Sequence, residues 1–361
     1  MSEQQNQFLP NSRFPEGEPV PQRQDILNEL SKFGIRDASQ IKLIDSTHDA
    51  LDIRLNYIID KKWVIRFCND EAMTEARLSD LHRLIDRYHA LGILCPQFLN
   101  DGEGRFLHMW KNLQCYLSEY VDLEIAWDVE ISDKDRLICE VQASLAQFAQ
   151  TYRNTDLSST MGMYSLFDLS PFDIPNGIDE REDNFNQLIA LLREAKENAI
   201  ADALIGRHSD VRSKLKAIYK DLPRCVFQGD ENFSNVLVDE KQHFAGFIDF
   251  NLAGTEVIVN QMANVAGFDY NEEKKECIGA QNRLSYALRY FQSHIRKMLC
   301  IYHASEQEIL ALRWYAWIVM IAQWPTFCYF QDAIKGTLKS EILELLSLIA
   351  VLPEDQILPA D

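Results

Sequence analysis

Residues 226–250 read VFQGDENFSNVLVDEKQHFAGFIDF, and their pattern decides the fold. Three short apolar runs, 225–227, 236–238 and 244–248, have the β-branched and aromatic content of strands. Polar turns separate them. Three oxygen-bearing side chains stand at those turns: Asp230, Asn235 and Asp249. A hairpin of these runs would gather all three at one end. An Asp and an Asn supply the hard oxygen atoms that Mg2+ takes, because that ion holds few protein ligands and completes its shell with water and substrate phosphates. The other Asp is then left to receive a hydroxyl proton. Asp and Asn are also common turn residues, so the three carry weight only as a set.

Outward from this stretch the composition divides the chain. Residues 1–24 are polar, carry Pro10, Pro15, Pro19 and Pro21, and are expected to form a flexible leader without the basic-then-apolar order of a secretory signal. Ile26, Leu27, Leu30 and Phe33 then recur at helical spacing. The runs 51–59 and 63–67, joined by Asp60, Lys61 and Lys62, predict a β-hairpin. Leu78, Leu81, Leu84, Ile85 and Tyr88 predict a long helix over 71–91 that stops at Gly92. With strands expected at 105–109 and 115–120, residues 25–121 read as a small β-rich lobe. Residues 133–155, 179–221 and most of 280–350 are helical in pattern, so 122–361 reads as a larger, mainly helical lobe. The fold class is α+β.

Gln228-Gly229-Asp230 through Asn235 resembles the H-G-D-x-x-x-x-N catalytic loop of the aminoglycoside phosphotransferase and choline kinase-like family, differing at the first position. Ile248-Asp249-Phe250 is similar to that family's metal-binding turn. The resemblance implies a two-lobed, protein-kinase-like fold that uses ATP or GTP with Mg2+. It implies that Asp230 orients or deprotonates the acceptor hydroxyl, while Asn235 and Asp249 hold Mg2+ against the nucleotide phosphates. Arg66 occupies the place of the family's phosphate-contacting strand cation, and Glu75 is the expected helix partner, with Glu71 on the same predicted face. Residues 117–122 resemble the hinge between lobes, where the backbone at Glu119, Tyr120 and Val121 is expected to meet the nucleotide base. Two departures stand out. Gln228 replaces the usual His, and the expected phosphate-covering loop, near Asp45 to Asp49, contains no glycine.

Composition limits the partners. The chain has 361 residues, 47% of them hydrophobic and 25% charged, and a formal net charge of −19. Such an acidic surface disfavours nucleic acid and anionic lipid and would draw a cationic substrate inward. Eight cysteines stand singly, as expected of reduced, buried thiols in a cytoplasmic protein. The apolar stretch 314–330 is interrupted by Gln323 and Pro325, which predicts a buried helix ending before Pro325 rather than a membrane span. Its aromatics, Trp314, Trp317, Trp324, Phe327, Tyr329 and Phe330, are candidates for core or for a substrate pocket, with Asp269, Glu272 and Glu273 as candidate amine ligands. The expectation is a kinase of a small hydroxylated molecule. The rival is a nucleotide-binding regulatory pseudokinase, suggested by Gln228, Arg66 and the glycine-free loop.

Overall fold

The hairpin between β2 (Arg54–Ile59) and β3 (Trp63–Cys68) shows how the sequence builds the first sheet. Asp60 and Lys61 both take left-handed backbone (φ 50° and 51°), and the Lys62 N–H donates to the Ile59 carbonyl at 2.9 Å. That reversal fits the twist of paired strands. The Asp60 carboxylate accepts the Ser39 and Gln40 amides, which brings in β1 (Ile41–Asp45) beside β2. The sheet is antiparallel throughout. Its order is β1-β2-β3-β6-β4, with β4 at Phe98–Leu99, β6 at Leu113–Glu119, and β5 (His108–Trp110) also on β6.

Side-chain alternation gives the sheet two different faces. Leu55, Tyr57, Ile59, Ile65 and Phe67 point into a closed core with Ile26 and Leu30 of α1 (Arg23–Lys32). Arg54, Asn56, Ile58, Val64 and Arg66 point the other way.

The computed structural model describes residues 10–171, 177–270 and 278–359 and separates into two compact units. The first takes residues up to 131 together with 232–251, and the second takes 132–231 and 252 onward. Of the expected leader, residues 1–9 lie outside the described residues. Beyond them, Phe14 and Val20 pack on the first unit's core and Pro21 accepts the Tyr57 hydroxyl at 3.0 Å.

The first unit also contains α2 (Glu75–Ala90), N-capped by Thr74, and a small sheet of order β10-β9-β7. Here β7 is Glu124–Ile125, β9 is Val236–Val238 and β10 is Phe244–Phe247. Leu94 hydrogen-bonds along β10 on both sides of Gly246. A Cβ at Gly246 would lie 1.7 Å from the Leu94 oxygen, so only glycine permits this approach.

In the second unit β8 (Arg224–Phe227) pairs antiparallel with β11 (Gly254–Val257). Helices α3 (Lys134–Tyr152), α4 (Glu180–Glu194), α5 (Asn198–Ile218), α6 (Ile258–Ala266), α7 (Ala280–Leu299), α8 (Glu306–Ala322), α9 (Trp324–Lys335), α10 (Lys339–Ala350) and α11 (Glu354–Ile357) make up the rest. The helical stretch expected over 179–221 is broken at Lys196, whose φ of 66° ends α4.

Residues 314–330 likewise divide at Gln323. From Trp314 to Ala322 α8 is apolar and buried on all sides, as such a stretch must be in water, whereas Glu306, Gln307 and Leu310 in its first turns are exposed. Among the described residues no helix is long and apolar enough to cross a membrane. Of the described cysteines, Cys68, Cys95, Cys115 and Cys225 are buried, whereas Cys300 is exposed, contrary to expectation. Cys277 lies outside the described residues.

Candidate active site

The polar face of β2 and β3 is one wall of a cavity of about 420 Å3 within the first unit. Six of the eight sequence-derived candidates line it: Arg66, Glu119, Tyr120, Val121, Asn235 and Asp249. Local structure explains their convergence. Asn235 directly precedes β9 and Asp249 closely follows β10, so the hairpin brings them to the same end. The Ile248 N–H donates to the Asn235 carbonyl at 2.9 Å, joining the two positions through the backbone. Asp249 takes a left-handed φ of 56°, uncommon for a residue with a side chain but tolerated by Asp. Its carboxylate accepts the Asn251 N–H at 3.2 Å.

Asn235 and Asp249 present oxygen atoms suited to Mg2+. Among the described residues no cluster of three or more His, Cys, Asp and Glu side chains is arranged to hold a metal by itself. A two-ligand site fits an ion that takes its remaining oxygens from water and phosphate.

Arg66 donates from Nη1 to Ser118 Oγ at 2.9 Å and lies over the Tyr116 ring at 5.8 Å. The expected pair with Glu75 does not form. Glu75 is the first residue of α2, and its carboxylate accepts the amides of Phe106 at 2.9 Å and Leu107 at 2.8 Å. Those backbone donors take the place that the sequence reading gave to Arg66. Glu71 precedes the helix and is exposed.

At the end of β6 the Glu119 N–H donates to Gln97 and the Tyr120 N–H to Lys62, both at 2.8 Å. The Glu119 carbonyl accepts Ser118 Oγ at 3.2 Å.

Two wall residues, Arg54 and Asp70, are not among the sequence-derived candidates, and Ser46 of the expected phosphate-covering loop lines the cavity as well. Burial works against the Arg54 charge, but the Asp52 hydrogen bond and charge, with Asp249 and Asp70 further off, hold its guanidinium above the ordinary value. Strand alternation would have found Arg54, which shares a sheet face with Arg66. Arg77, buried on α2, donates to the Asn251 carbonyl and so secures the turn that follows Asp249. No local pattern announces that contact, whose partners are 174 residues apart.

Asp230 belongs to the second unit, at the end of β8. The expected three-run hairpin is therefore only β9 and β10, because β8 pairs with β11. Gln228, fully buried, accepts the Asp230 N–H on Oε1 at 2.7 Å, so the residue in the usual His position braces the loop. Gly229 has φ 87°, and a Cβ there would lie 2.6 Å from the Leu252 oxygen.

Glu231, also unnoticed in the sequence, accepts Gly229 N–H at 3.3 Å and Gln261 Nε2 at 2.8 Å. Burial pushes its carboxyl up to about 7, and the Asp230 charge adds to the shift against the lowering by neighbouring amides. Asn260 donates to the Tyr164 carbonyl at 2.8 Å, a structural contact, whereas Asn251 lines the first-unit cavity.

Trp317, Phe327 and Phe330 are core residues and Trp314 is nearly so. Trp324 is exposed, and Tyr329 and Asp269 line a second-unit hollow of about 530 Å3, where Asp269 accepts the Tyr286 hydroxyl at 3.0 Å. Glu272 and Glu273 lie outside the described residues. A hollow of about 480 Å3 between Arg207, Arg313 and residues 350–355 holds none of the candidates.

The comparisons with known proteins agree with this geometry. No curated protein matches the chain in sequence. The fold is similar to that of an amicoumacin kinase solved in complex with AMP-PNP, Ca2+ and Ami. That likeness has a TM-score of 0.53 and 13% identity, covering 94% of this chain and 96% of the other. It is also similar to an aminoglycoside phosphotransferase from Alicyclobacillus acidocaldarius subsp. acidocaldarius DSM 446, with a TM-score of 0.51, 13% identity, and coverage of 89% and 93%. These likenesses establish a kinase-like α+β fold. The model of the phosphotransferase enzyme family matches residues 46–273, which include the first-unit cavity wall from Ser46 onward and the Asp230 loop, and the chain therefore belongs to the phosphotransferase enzyme family.

Proposed function

We propose that the chain transfers the γ-phosphoryl group of ATP or GTP to a hydroxyl group of a small molecule, with Mg2+ as the metal. The observation that carries this reading is the convergence of Arg66, Asn235, Asp249 and the end of β6 on one cavity. In this reading the nucleotide base meets the backbone of residues 119–121. The amides of Glu119 and Tyr120 are committed to Gln97 and Lys62, so the base would meet the Val121 N–H and the second lone pair of the Glu119 carbonyl, whose first partner is Ser118 Oγ. Arg66, held by Ser118 and Tyr116, takes a phosphate oxygen. Asn235 and Asp249 hold Mg2+, which when bound spreads and neutralises phosphate charge. Asp230 receives or orients the acceptor proton, on a loop fixed by Gln228 and Gly229.

The net charge of −19 favours a cationic acceptor, and aminoglycosides and choline-like alcohols both meet that description. Use of a nucleoside triphosphate and singly spaced cysteines fit a cytoplasmic enzyme. The test is ADP release from Mg2+-ATP across a panel of aminoglycosides and small hydroxylated amines, with Asp230→Ala and Asp249→Ala beside the native chain. Turnover of at least one acceptor, lost in both variants while both stay folded, is the expected result. Equal turnover in either variant would remove that residue from the mechanism.

A further inference from the structure

We infer that Arg54 is a polyphosphate ligand, doing with a side chain what a glycine-rich loop does with backbone amides. The inference rests on the nucleotide-binding reading above and adds a residue to it. Glycine-rich loops hold phosphates because their amides are unpaired and point into the loop. The turn between β1 and β2 has few amides left to work in that way.

Most of its amides are already used. Ser46 N–H donates to the Arg54 carbonyl at 2.9 Å, Thr47 N–H to Asp45 Oδ1 at 2.9 Å, and His48 N–H to the Asp52 carbonyl at 3.1 Å. Leu51 N–H donates to Asp49 Oδ1 at 2.7 Å and Asp52 N–H to the Asp49 carbonyl at 3.3 Å. The turn also carries Asp45, Asp49 and Asp52, three carboxylates that would repel a triphosphate. A phosphate at this end of the cavity therefore needs a cation.

Arg54 is placed to be that cation. Register puts Asn56 opposite Arg66 and Arg54 opposite Cys68, so both guanidiniums rise from the same face of the hairpin and line the same cavity as Asn235 and Asp249. Arg54 Nε now contacts Asp52 Oδ1 at 2.6 Å, with the Arg54 side chain 45% exposed. An exposed pair of this kind is weak, so a triphosphate can replace Asp52 as the partner. Arginine suits the exchange, since its fork of donors matches phosphate oxygens and its charge does not titrate.

The experiment is calorimetric titration of the full chain with adenosine and with Mg2+-ATP, comparing the native protein with Arg54→Gln, Arg54→Lys and Asp52→Asn. Arg54→Gln is expected to bind ATP tenfold or more weakly with adenosine affinity unchanged. Arg54→Lys should recover part of the loss, and Asp52→Asn should bind ATP at least as tightly as the native chain. ATP affinity within twofold of native in Arg54→Gln would overturn the inference while leaving the nucleotide reading intact. Equal losses for adenosine and ATP would overturn it too, by showing a general effect on the cavity. A native chain that binds neither compound would overturn both.

Discussion

Two pairs of carboxylates, one in each unit, sit in different surroundings. In the first, Asp70 and Asp249 share a cavity wall with Arg54 and Arg66, so negative charge sits beside guanidinium groups and open space. In the second, Glu256 is buried and Glu231 partly so, and both are braced mainly by neutral amides: Gln261 and Gly229 for Glu231, Asn260 and the Val257 N–H for Glu256. Burial raises both, Glu231 to about 7 and Glu256 to about 8. Amides offset part of the desolvation, whereas a full positive charge beside the group would have reversed it. The first arrangement suits a metal and phosphates. The second suits holding a loop in place.

The largest effect expected from this contrast concerns Asp230, the carboxylate assigned to the acceptor. A positioned general base contributes about 10^2 to 10^4 in rate, so Asp230→Ala should lower kcat by roughly three orders of magnitude with little change in unfolding midpoint. Asp230 is half-buried at a loop, and its removal opens no core cavity. A kcat within tenfold of native, measured on any accepted substrate, would transfer the role to another group. Glu231 would then be the first to examine.

Next in size is a structural test of the first unit. Gly246→Ala places a methyl group 1.7 Å from the Leu94 oxygen and within 2.9 Å of two further backbone atoms. Backbone cannot yield as a flexible side chain can, so a loss of about 3 kcal/mol is expected in urea unfolding. Activity should fall as well, because β10 leads directly to Asp249. An unchanged midpoint would mean that residue 94 and β10 are not packed together as described.

The sequence made the convergence of Asn235 and Asp249 easier to read than the strand connections. Asn235 and Asp249 were legible because they flank two adjacent strands, where spacing and space coincide. Asp230 was legible as a residue but misplaced in topology, since no local pattern shows β8 pairing with β11, some 30 residues downstream. Glu75 failed for a related reason. Helical periodicity gives its face, but not that the amides of residues 106 and 107 would reach it before Arg66. Arg54 shares its strand face with Asn56 and Ile58, but none of the motifs that carry the family resemblance falls on β2, so its sequence alone does not mark it. Burial of Glu256 could not have been anticipated, because β11 is covered by elements distant in sequence.

Glu256 gives a third prediction, smaller and dependent on pH. Its folded pKa of about 8 lies above the ordinary 4.5, so the folded state keeps a proton that the unfolded chain releases. The stability this provides is fully present below about 4.5 and is lost as pH rises towards 8, with a slope of up to about 1.4 kcal/mol per pH unit. Glu231 shares the trend up to about 7. His208 acts oppositely and at lower pH, since burial lowers it from 6.5 to about 3. Between pH 7 and 8 the slope therefore belongs mainly to Glu256. Glu256→Gln should flatten the decline of the urea midpoint in that interval, and an equally steep decline in the variant would place the titrating group elsewhere.

The smallest effect is expected at Gln228, where the loop of the second unit is tied by a neutral amide. The Gln228 side chain is fully buried, and its Oε1 accepts the N–H of half-buried Asp230 at 2.7 Å. Removing one acceptor of this kind costs about 1 kcal/mol, with more where a buried donor is stranded, so Gln228→Ala should lower kcat about tenfold through misplacement of Asp230. The variant Gln228→His separates two accounts of the natural residue. If the loop needs only an acceptor for the Asp230 amide, an imidazole ring nitrogen can supply it and kcat should stay within threefold of native. A loss in Gln228→His as large as in Gln228→Ala would mean that the second unit has repacked around the amide, and that this loop is held by shape as much as by its hydrogen bond.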